Sequence, residues 1–281
     1  MVFQIPIPLD FSFRETLSAH GWRQLRPFVW HEDTQTLERT EETSEGSVVL
    51  LRVCDKNGVL HIEVEGEADE TEIARRIRRM LQLDIPIGDF HAYCRTVPKL
   101  LCLVENRQGR MLRGSTLWED TVKVIATTNT TWAQTIAMSA RLVEQFGAGG
   151  RGFPTPQRVA SVPFEEFAVK ARMGYRAAYV HKIATAIAEG SLDLEALQED
   201  SLTASELRKH LVSLPGIGPY GAACLMLYLG RPEHVNSDSV ARSLLSRELN
   251  RPVTDTEVHT FFEVYGRWRG LIYTFYPWSA K

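Results

Sequence analysis

The sequence contains 281 residues with a formal net charge of −3, and its 44% hydrophobic and 24% charged residues are typical of a globular protein of two or three modest domains. It has no apolar run long enough to span a membrane, and Met1–Asp10 lacks the basic and apolar regions of a secretory signal, so we expect a cytoplasmic protein without a membrane partner. The four cysteines are scattered and form no C-x-x-C pair, which argues against a disulfide framework, a cysteine-ligated zinc site or an iron–sulfur cluster.

Residues 1–85 are predicted to form a β-rich domain with an antiparallel sheet. Two runs rich in β-branched residues, Ser47–Cys54 and Val59–Glu65, flank an Asn-Gly turn within Asp55–Gly58, which is the pattern of a β-hairpin. Asp69–Leu83 then has the spacing of an amphipathic helix. We expect its polar face to be solvated, and that face carries Arg75, Arg76, Arg78 and Arg79.

Residues 86–281 are predicted to form an all-α unit of two lobes, so the expected fold class is α+β. The long amphipathic stretch Trp118–Phe146 is broken near Thr127–Thr131 and is ended by the glycines of Gly147–Gly150. Shorter helices are predicted at about 164–172, 176–189, 193–197, 204–213, 219–229, 238–248, 254–264 and 267–275.

The segment Leu214–Ala222, Leu-Pro-Gly-Ile-Gly-Pro-Tyr-Gly-Ala, is the most informative part of the sequence. One helix should end before it and a second should begin near Pro219, with a Gly-Ile-Gly hairpin between them. The amides of Gly216 and Gly218 would then lie unpaired at a helix N-terminus, a geometry that binds an anion such as a DNA phosphate. Such a local device would suit a DNA-binding protein whose net charge is negative. An ordinary helix–turn–helix corner is the alternative.

The hairpin string resembles that of the helix-hairpin-helix superfamily of DNA glycosylases. Trp118–Gly147, Phe153–Gln157 and Met173–Ala177 are similar to the segments that precede the hairpin in that family, and the likeness is strongest from 118 to 244. The β-rich N-terminal domain resembles that of 3-methyladenine DNA glycosylase II and 8-oxoguanine DNA glycosylase. The resemblance implies a monomeric enzyme of base excision repair, located at the bacterial nucleoid if the source is prokaryotic. Its partner would be damaged double-stranded DNA, from which it flips a base and cuts the N-glycosidic bond.

The same resemblance implies a catalytic aspartate about twenty residues after the hairpin, where Asp238 stands. A carboxylate there would stabilise the oxocarbenium-like sugar that forms as the bond breaks. A helix N-cap is the other common role of an aspartate at such a place. Family members that also cut the DNA backbone carry a Schiff-base lysine in the second hairpin helix, and the matching residue here is Tyr220. The implied enzyme is therefore monofunctional and uses water.

The base pocket implied by the resemblance contains Tyr220, Cys224 and Trp268, although both Tyr220 and Trp268 could instead belong to the core. Asn129 resembles an asparagine that the 8-oxoguanine branch places in the gap left by the flipped base, and its alternative role is to break a helix. Arg176 either reaches DNA or lies on the surface. The residues predicted to bind DNA are Leu214, Gly216, Ile217, Gly218, Asn129, Thr130 and Arg176.

Three functions remain open at this stage. The aromatic residues at Tyr220 and Trp268 favour an alkylated purine, because an electron-poor base stacks well on a π-rich wall. Asn129 favours an oxidised, deaminated or mispaired base such as 8-oxoguanine, and a non-catalytic DNA-binding module is the third possibility. The histidines lack the spacing of metal ligands, so we expect no catalytic metal and no other cofactor. A monovalent cation could still be shared between the hairpin carbonyls and a phosphate.

Overall fold

A five-stranded antiparallel sheet forms the N-terminal part of the computed structural model, which describes residues 1–198 and 202–278. The predicted β-hairpin lies within it, and both Asn57 and Gly58 adopt the positive φ that its tight turn requires, 57° and 81°. Alternate residues of the fourth strand, such as Leu51 and Val53, face the core. The strand order is β1-β5-β4-β3-β2, with β1 at Val2–Pro6, β2 at Phe28–His31, β3 at Thr36–Glu42, β4 at Val48–Lys56 and β5 at Val59–Glu65.

Helices follow the sheet, and the predicted α+β class is confirmed. The predicted break near Thr127–Thr131 separates two helices, the second of which begins at a capping box formed by Thr131 and Gln134. The helix predicted at about 193–197 is a 3₁₀ turn, Glu195–Gln198. No helix in the described ranges is long and apolar enough to cross a membrane. The helices are α1 (Phe13–Ser18), α2 (Glu70–Met80), α3 (Gly88–Arg95), α4 (Leu101–Glu105), α5 (Leu117–Thr127), α6 (Trp132–Phe146), α7 (Pro156–Ala160), α8 (Phe164–Ala171), α9 (Arg176–Ala188), α10 (Ala204–Ser213), α11 (Pro219–Tyr228), α12 (Ser239–Glu248), α13 (Asp255–Glu263) and α14 (Arg269–Phe275).

The arginine face of α2 is only partly solvated, so the expectation of a solvated face is wrong for two of its four residues. Arg76 and Arg79 each expose only 13% of their side chains. Arg76 pairs with Glu41 of β3 at 2.7 Å, and Arg79 pairs with Asp120 of α5 at 2.9 Å. The carboxylates come from elements distant in the sequence, and they supply the partners that buried charges need.

A buried charge cluster also joins the sheet to α5. Arg39 of β3 contacts Glu119 at 2.7 Å, and Lys123 contacts the other oxygen of Glu119 at 2.6 Å. Burial of the Glu119 carboxyl opposes its ionisation, but Arg39 and Lys123 together hold its pKa well below the usual range. The two parts of the chain therefore share one interior, while the predicted division at residue 85 stays a prediction.

Candidate functional site

The Gly-Ile-Gly hairpin connects α10 to α11 as predicted. The amide of Ile217 donates to the carbonyl of Leu214 at 3.1 Å and closes the turn. Gly216 has a φ of +78°, and a Cβ at this position would lie 2.5 Å from the ring of Tyr179. Position 216 therefore requires glycine on two counts, backbone conformation and close approach.

The hairpin presents backbone rather than side chains to solvent. Leu214 and Ile217 are buried, at 7% and 4% exposure, so their side chains anchor the turn. Across residues 1–198 and 202–278, the amides of Gly216 and Gly218 find no hydrogen-bond acceptor. Gly218 caps the start of α11, and open space surrounds the position of its absent Cβ. These donors and the positive end of the α11 dipole lie on one surface, which is the chemistry that binding of an anion requires.

Asp238 is the N-cap of α12, and its carboxylate also faces a cavity. Its Oδ1 atom accepts from the amide of Ala241 at 2.8 Å and from the hydroxyl of Tyr273 at 3.4 Å. Its Oδ2 atom has no partner in the described part of the chain. The capping role and a chemical role are therefore compatible, because each can use a different oxygen of one rigidly held group.

The cavity beside Asp238 has a volume of about 340 Å³ and opens into a larger groove. The groove runs past the hairpin and the turn between α5 and α6. Asp238 and Tyr220 line both spaces, so they stand where the cavity meets the groove. Aromatic side chains form much of the cavity wall, namely Trp22, Trp132, Tyr220, Tyr228, Tyr273 and Trp278.

Tyr220 and Cys224 lie one helical turn apart on α11 and both line this cavity. Burial raises the pKa of the Cys224 thiol to about 11. The neighbouring Cys224 and burial raise the pKa of Tyr220 above its ordinary value. Both groups are neutral near pH 7, and Asp238 is the only Asp, Glu, Lys or Arg among the described residues that line the cavity.

Trp268, which is predicted to belong to the base pocket, does not line the cavity beside Asp238. Its ring packs against Phe90, with centroids 5.6 Å apart, and lies under the guanidinium of Arg267 at 4.3 Å. It lines neither the cavity nor the groove. Tyr273 lines the cavity from the same helical segment instead. At about 100° per residue, five residues turn a helix by roughly 140° beyond a full circle, so the two rings face different sides.

The turn between α5 and α6 carries Asn129 and Thr130 at the edge of the groove. Asn129 is exposed with a φ of 44°, and its amide donates to the hydroxyl of Tyr175 at 3.4 Å. The Thr130 hydroxyl donates to Gln134 at 2.7 Å. Both side chains are within reach of a ligand lying in the groove.

Arg176 is buried, at 7% exposure, so the alternative that it lies on the surface is wrong. Its guanidinium donates to the carbonyl of Thr128 at 3.1 Å and to that of Asn129 at 3.0 Å. These bonds hold the turn in place. The predicted direct contact of Arg176 with DNA stays a prediction, and the geometry gives it a positioning role.

Sequence reasoning missed several residues of the cavity wall, among them His20, Trp132, Asn236 and Tyr273. His20 belongs to the N-terminal part, about two hundred residues from Asp238, and no local motif marks it. Asn236 stands two residues before Asp238, and that proximity was the one available signal. Among the described residues, no three His, Cys, Asp or Glu side chains are grouped to hold a metal ion.

The chain is similar to known proteins in sequence and in fold. A family model described as HhH-GPD superfamily base excision DNA repair protein matches residues 122–271. An N-glycosylase/DNA lyase of Saccharomyces cerevisiae is 22% identical over 222 residues, which cover 71% of this chain and 58% of the relative. The chain thus spans less than two thirds of that protein's length.

Solved structures share the fold over nearly the whole chain. The 3-methyladenine DNA-glycosylase from Archaeoglobus fulgidus has a TM-score of 0.74 at 19% identity, with 97% of this chain and 96% of that chain covered. The 8-oxoguanine glycosylase/lyase of Clostridium acetobutylicum in its apo-form has a TM-score of 0.70 at 19% identity and covers 98% of both chains. MBOgg1 in complex with a low-affinity DNA ligand has a TM-score of 0.70 at 22% identity, with 97% and 94% covered.

Proposed function

Because this chain belongs to the HhH-GPD superfamily of base excision DNA repair proteins, we propose that it is a DNA glycosylase, which flips a damaged base from duplex DNA and hydrolyses its N-glycosidic bond. The observation that carries the proposal is the position of Asp238. Asp238, whose Oδ2 atom has no partner among the described residues, lines both a base-sized cavity and the groove that runs past the hairpin.

The groove supports binding of the DNA backbone. The free amides of Gly216 and Gly218 can donate to one phosphate without any lysine or arginine, which fits a chain of net charge −3. Asn129 is exposed on a turn that Arg176 holds, and in our proposal it enters the gap that a flipped base leaves. We propose damaged duplex DNA as the partner and a monomer as the active form, since one chain supplies all of these groups.

Asp238 would act on the sugar once the base occupies the cavity. The C1′–N bond breaks with its electron pair leaving on the base, and the carboxylate stabilises the cationic sugar that remains. A water oxygen then bonds to C1′ and this water loses a proton. A base that is neutral in DNA takes up a proton as it leaves, whereas a base made cationic by alkylation leaves as a neutral molecule and the proton from water passes to solvent. A non-catalytic DNA-binding module would have no need of a carboxylate at this mouth.

The absence of a suitable amine supports a monofunctional enzyme. None of the six lysines in the described ranges lines the cavity or the groove, and Lys281 lies outside those ranges. The N-terminal amine donates to the carbonyl of Val64 in the sheet at 2.8 Å. By resemblance to the family's second hairpin helix, Tyr220 corresponds to the Schiff-base lysine, and a phenol cannot form a Schiff base. Water is therefore the nucleophile in our proposal.

An alkylated purine is the substrate that the cavity supports best. Its wall is rich in aromatic rings. Among the described residues that line it, Asp238 is the one acidic side chain and there is no lysine or arginine. A base made cationic by alkylation gains from both features. An oxidised base such as 8-oxoguanine is the second candidate, and exposed Asn129 favours it.

Base release from duplexes with single defined lesions tests this proposal. The protein is incubated with matched duplexes that carry 7-methylguanine, 8-oxoguanine or no lesion, and free base and strand cleavage are measured with and without alkali. We expect release of 7-methylguanine, with strand breaks only after alkali and no adduct trapped by borohydride. Release of no base contradicts the glycosylase proposal, and a strong trapped adduct contradicts the monofunctional one.

A further inference from the structure

Two polar side chains in the cavity wall have buried atoms that lack a partner. Both ring nitrogens of His20 and the Oδ1 atom of Asn236 are shielded from solvent, and none has a hydrogen-bond partner within the described chain. Each such buried atom lowers stability, because it gives up hydrogen bonds to water on folding without replacing them. Native structures retain groups of this kind mainly where a ligand or water completes them. All three atoms belong to residues that line the cavity beside Asp238.

The orientation of Asn236 is fixed by Cys224. The amide Nδ2 atom donates to the Cys224 sulfur at 3.4 Å, and this contact uses the donor end of the side chain. The Oδ1 atom is then left as a buried acceptor. Asn236 lies two residues before Asp238 in the chain, so the acceptor and the carboxylate are placed by one segment.

His20 is held as a neutral ring on the same cavity. It stacks on Trp22 with centroids 5.2 Å apart and an interplanar angle of 12°. Burial, with a contribution from the charge on Lys123, lowers the pKa of His20 to about 3. A neutral imidazole offers one donor and one acceptor.

We propose that Asn236 is a specificity-determining residue whose Oδ1 atom accepts a hydrogen bond from an exocyclic amino group of the flipped base. The substrate class is then a purine lesion that retains its amino group. This inference rests on the proposed glycosylase function. A buried acceptor rejects a base that cannot donate to it, because that base leaves the acceptor unpaired.

The test compares two bases that differ only in the amino group. Single-turnover base release is measured on the 7-methylguanine or 8-oxoguanine duplex, whichever the native protein cleaves, and on the corresponding hypoxanthine lesion, which lacks the 2-amino group. Asn236→Leu removes the acceptor at similar volume, with Asn236→Ala as a second variant should leucine prevent folding. His20→Phe is the matched control, since it alters the same wall while keeping the stacked ring.

We expect Asn236→Leu to release the amino-bearing base roughly tenfold more slowly or worse, with little change for the hypoxanthine lesion. His20→Phe should leave the ratio of the two rates as it is in the native protein. Equal loss on both lesions in Asn236→Leu overturns the inference and leaves the glycosylase proposal intact, because it indicates a merely structural role. A selective loss in His20→Phe alone also overturns it. If the native protein releases neither base, the inference falls together with the proposed function.

Discussion

The neutral state of His20 makes the stability of this fold depend on pH. The pKa of His20 is about 3 in the folded protein and 6.5 for an unperturbed histidine. Although the residue as a whole is half-buried, both ring nitrogens are shielded from water, so burial acts on the charge directly. Above pH 6.5 both states are neutral and the group has no effect. Below it, the unfolded chain binds a proton that the folded protein cannot bind, and stability falls by about 1.4 kcal/mol per pH unit.

At pH 5 the loss from His20 is therefore about 2 kcal/mol relative to pH 7. Urea unfolding of the native protein and of His20→Phe at both pH values measures it, because a phenyl ring keeps the stack on Trp22 but cannot take a proton. Other groups titrate equally in both proteins, so the difference between them isolates His20. His259→Phe, which replaces an exposed histidine, should behave as the native protein does. An equal loss of stability in native protein and His20→Phe would refute the reasoning.

Two further predictions concern the hairpin and its helix. Gly218→Ala should weaken binding to damaged and undamaged duplex alike by roughly tenfold, measured by fluorescence anisotropy, because a methyl group blocks a phosphate from free amides. The melting temperature of Gly218→Ala should be unchanged, whereas Gly216→Ala should melt at a lower temperature because its Cβ meets Tyr179. Unchanged DNA binding by Gly218→Ala would mean that the hairpin does not touch DNA. Tyr220→Lys should give a weak borohydride-trapped adduct on damaged duplex that native protein and Tyr220→Phe lack. A folded Tyr220→Lys protein that releases base without any adduct would show that position 220 does not reach the sugar.

The parts of the fold that sequence predicts well are those decided by local chemistry. The Asn57-Gly58 turn depends on two residues that tolerate positive φ, and the Gly216 hairpin depends on a glycine with no room for a side chain. The break before α6 follows from Thr131, whose hydroxyl caps the new helix. In each case the residues that determine the structure are neighbours in the sequence, so a short window contains the whole cause.

The rest depends on contacts between distant segments. Arg79 is shielded because Asp120 stands opposite it, and nothing near Arg79 in the sequence indicates that partner. Trp268 and Tyr273 are both aromatic residues near the same helix, and only the phase of that helix decides which one faces the cavity. His20 reaches the cavity wall from the N-terminal part of the chain. Residue type alone could identify the kind of site but could not supply its complete lining.

The most direct test of the account is single-turnover base release by Asp238→Asn. Asparagine also caps helices well, so the variant should keep its fold, and it should bind damaged duplex about as tightly as the native protein does. Because the carboxylate stabilises the sugar cation, its rate of base release should fall by about 10²–10³ or more. A folded, DNA-binding Asp238→Asn protein that releases the base at the native rate would contradict the central role given to Asp238.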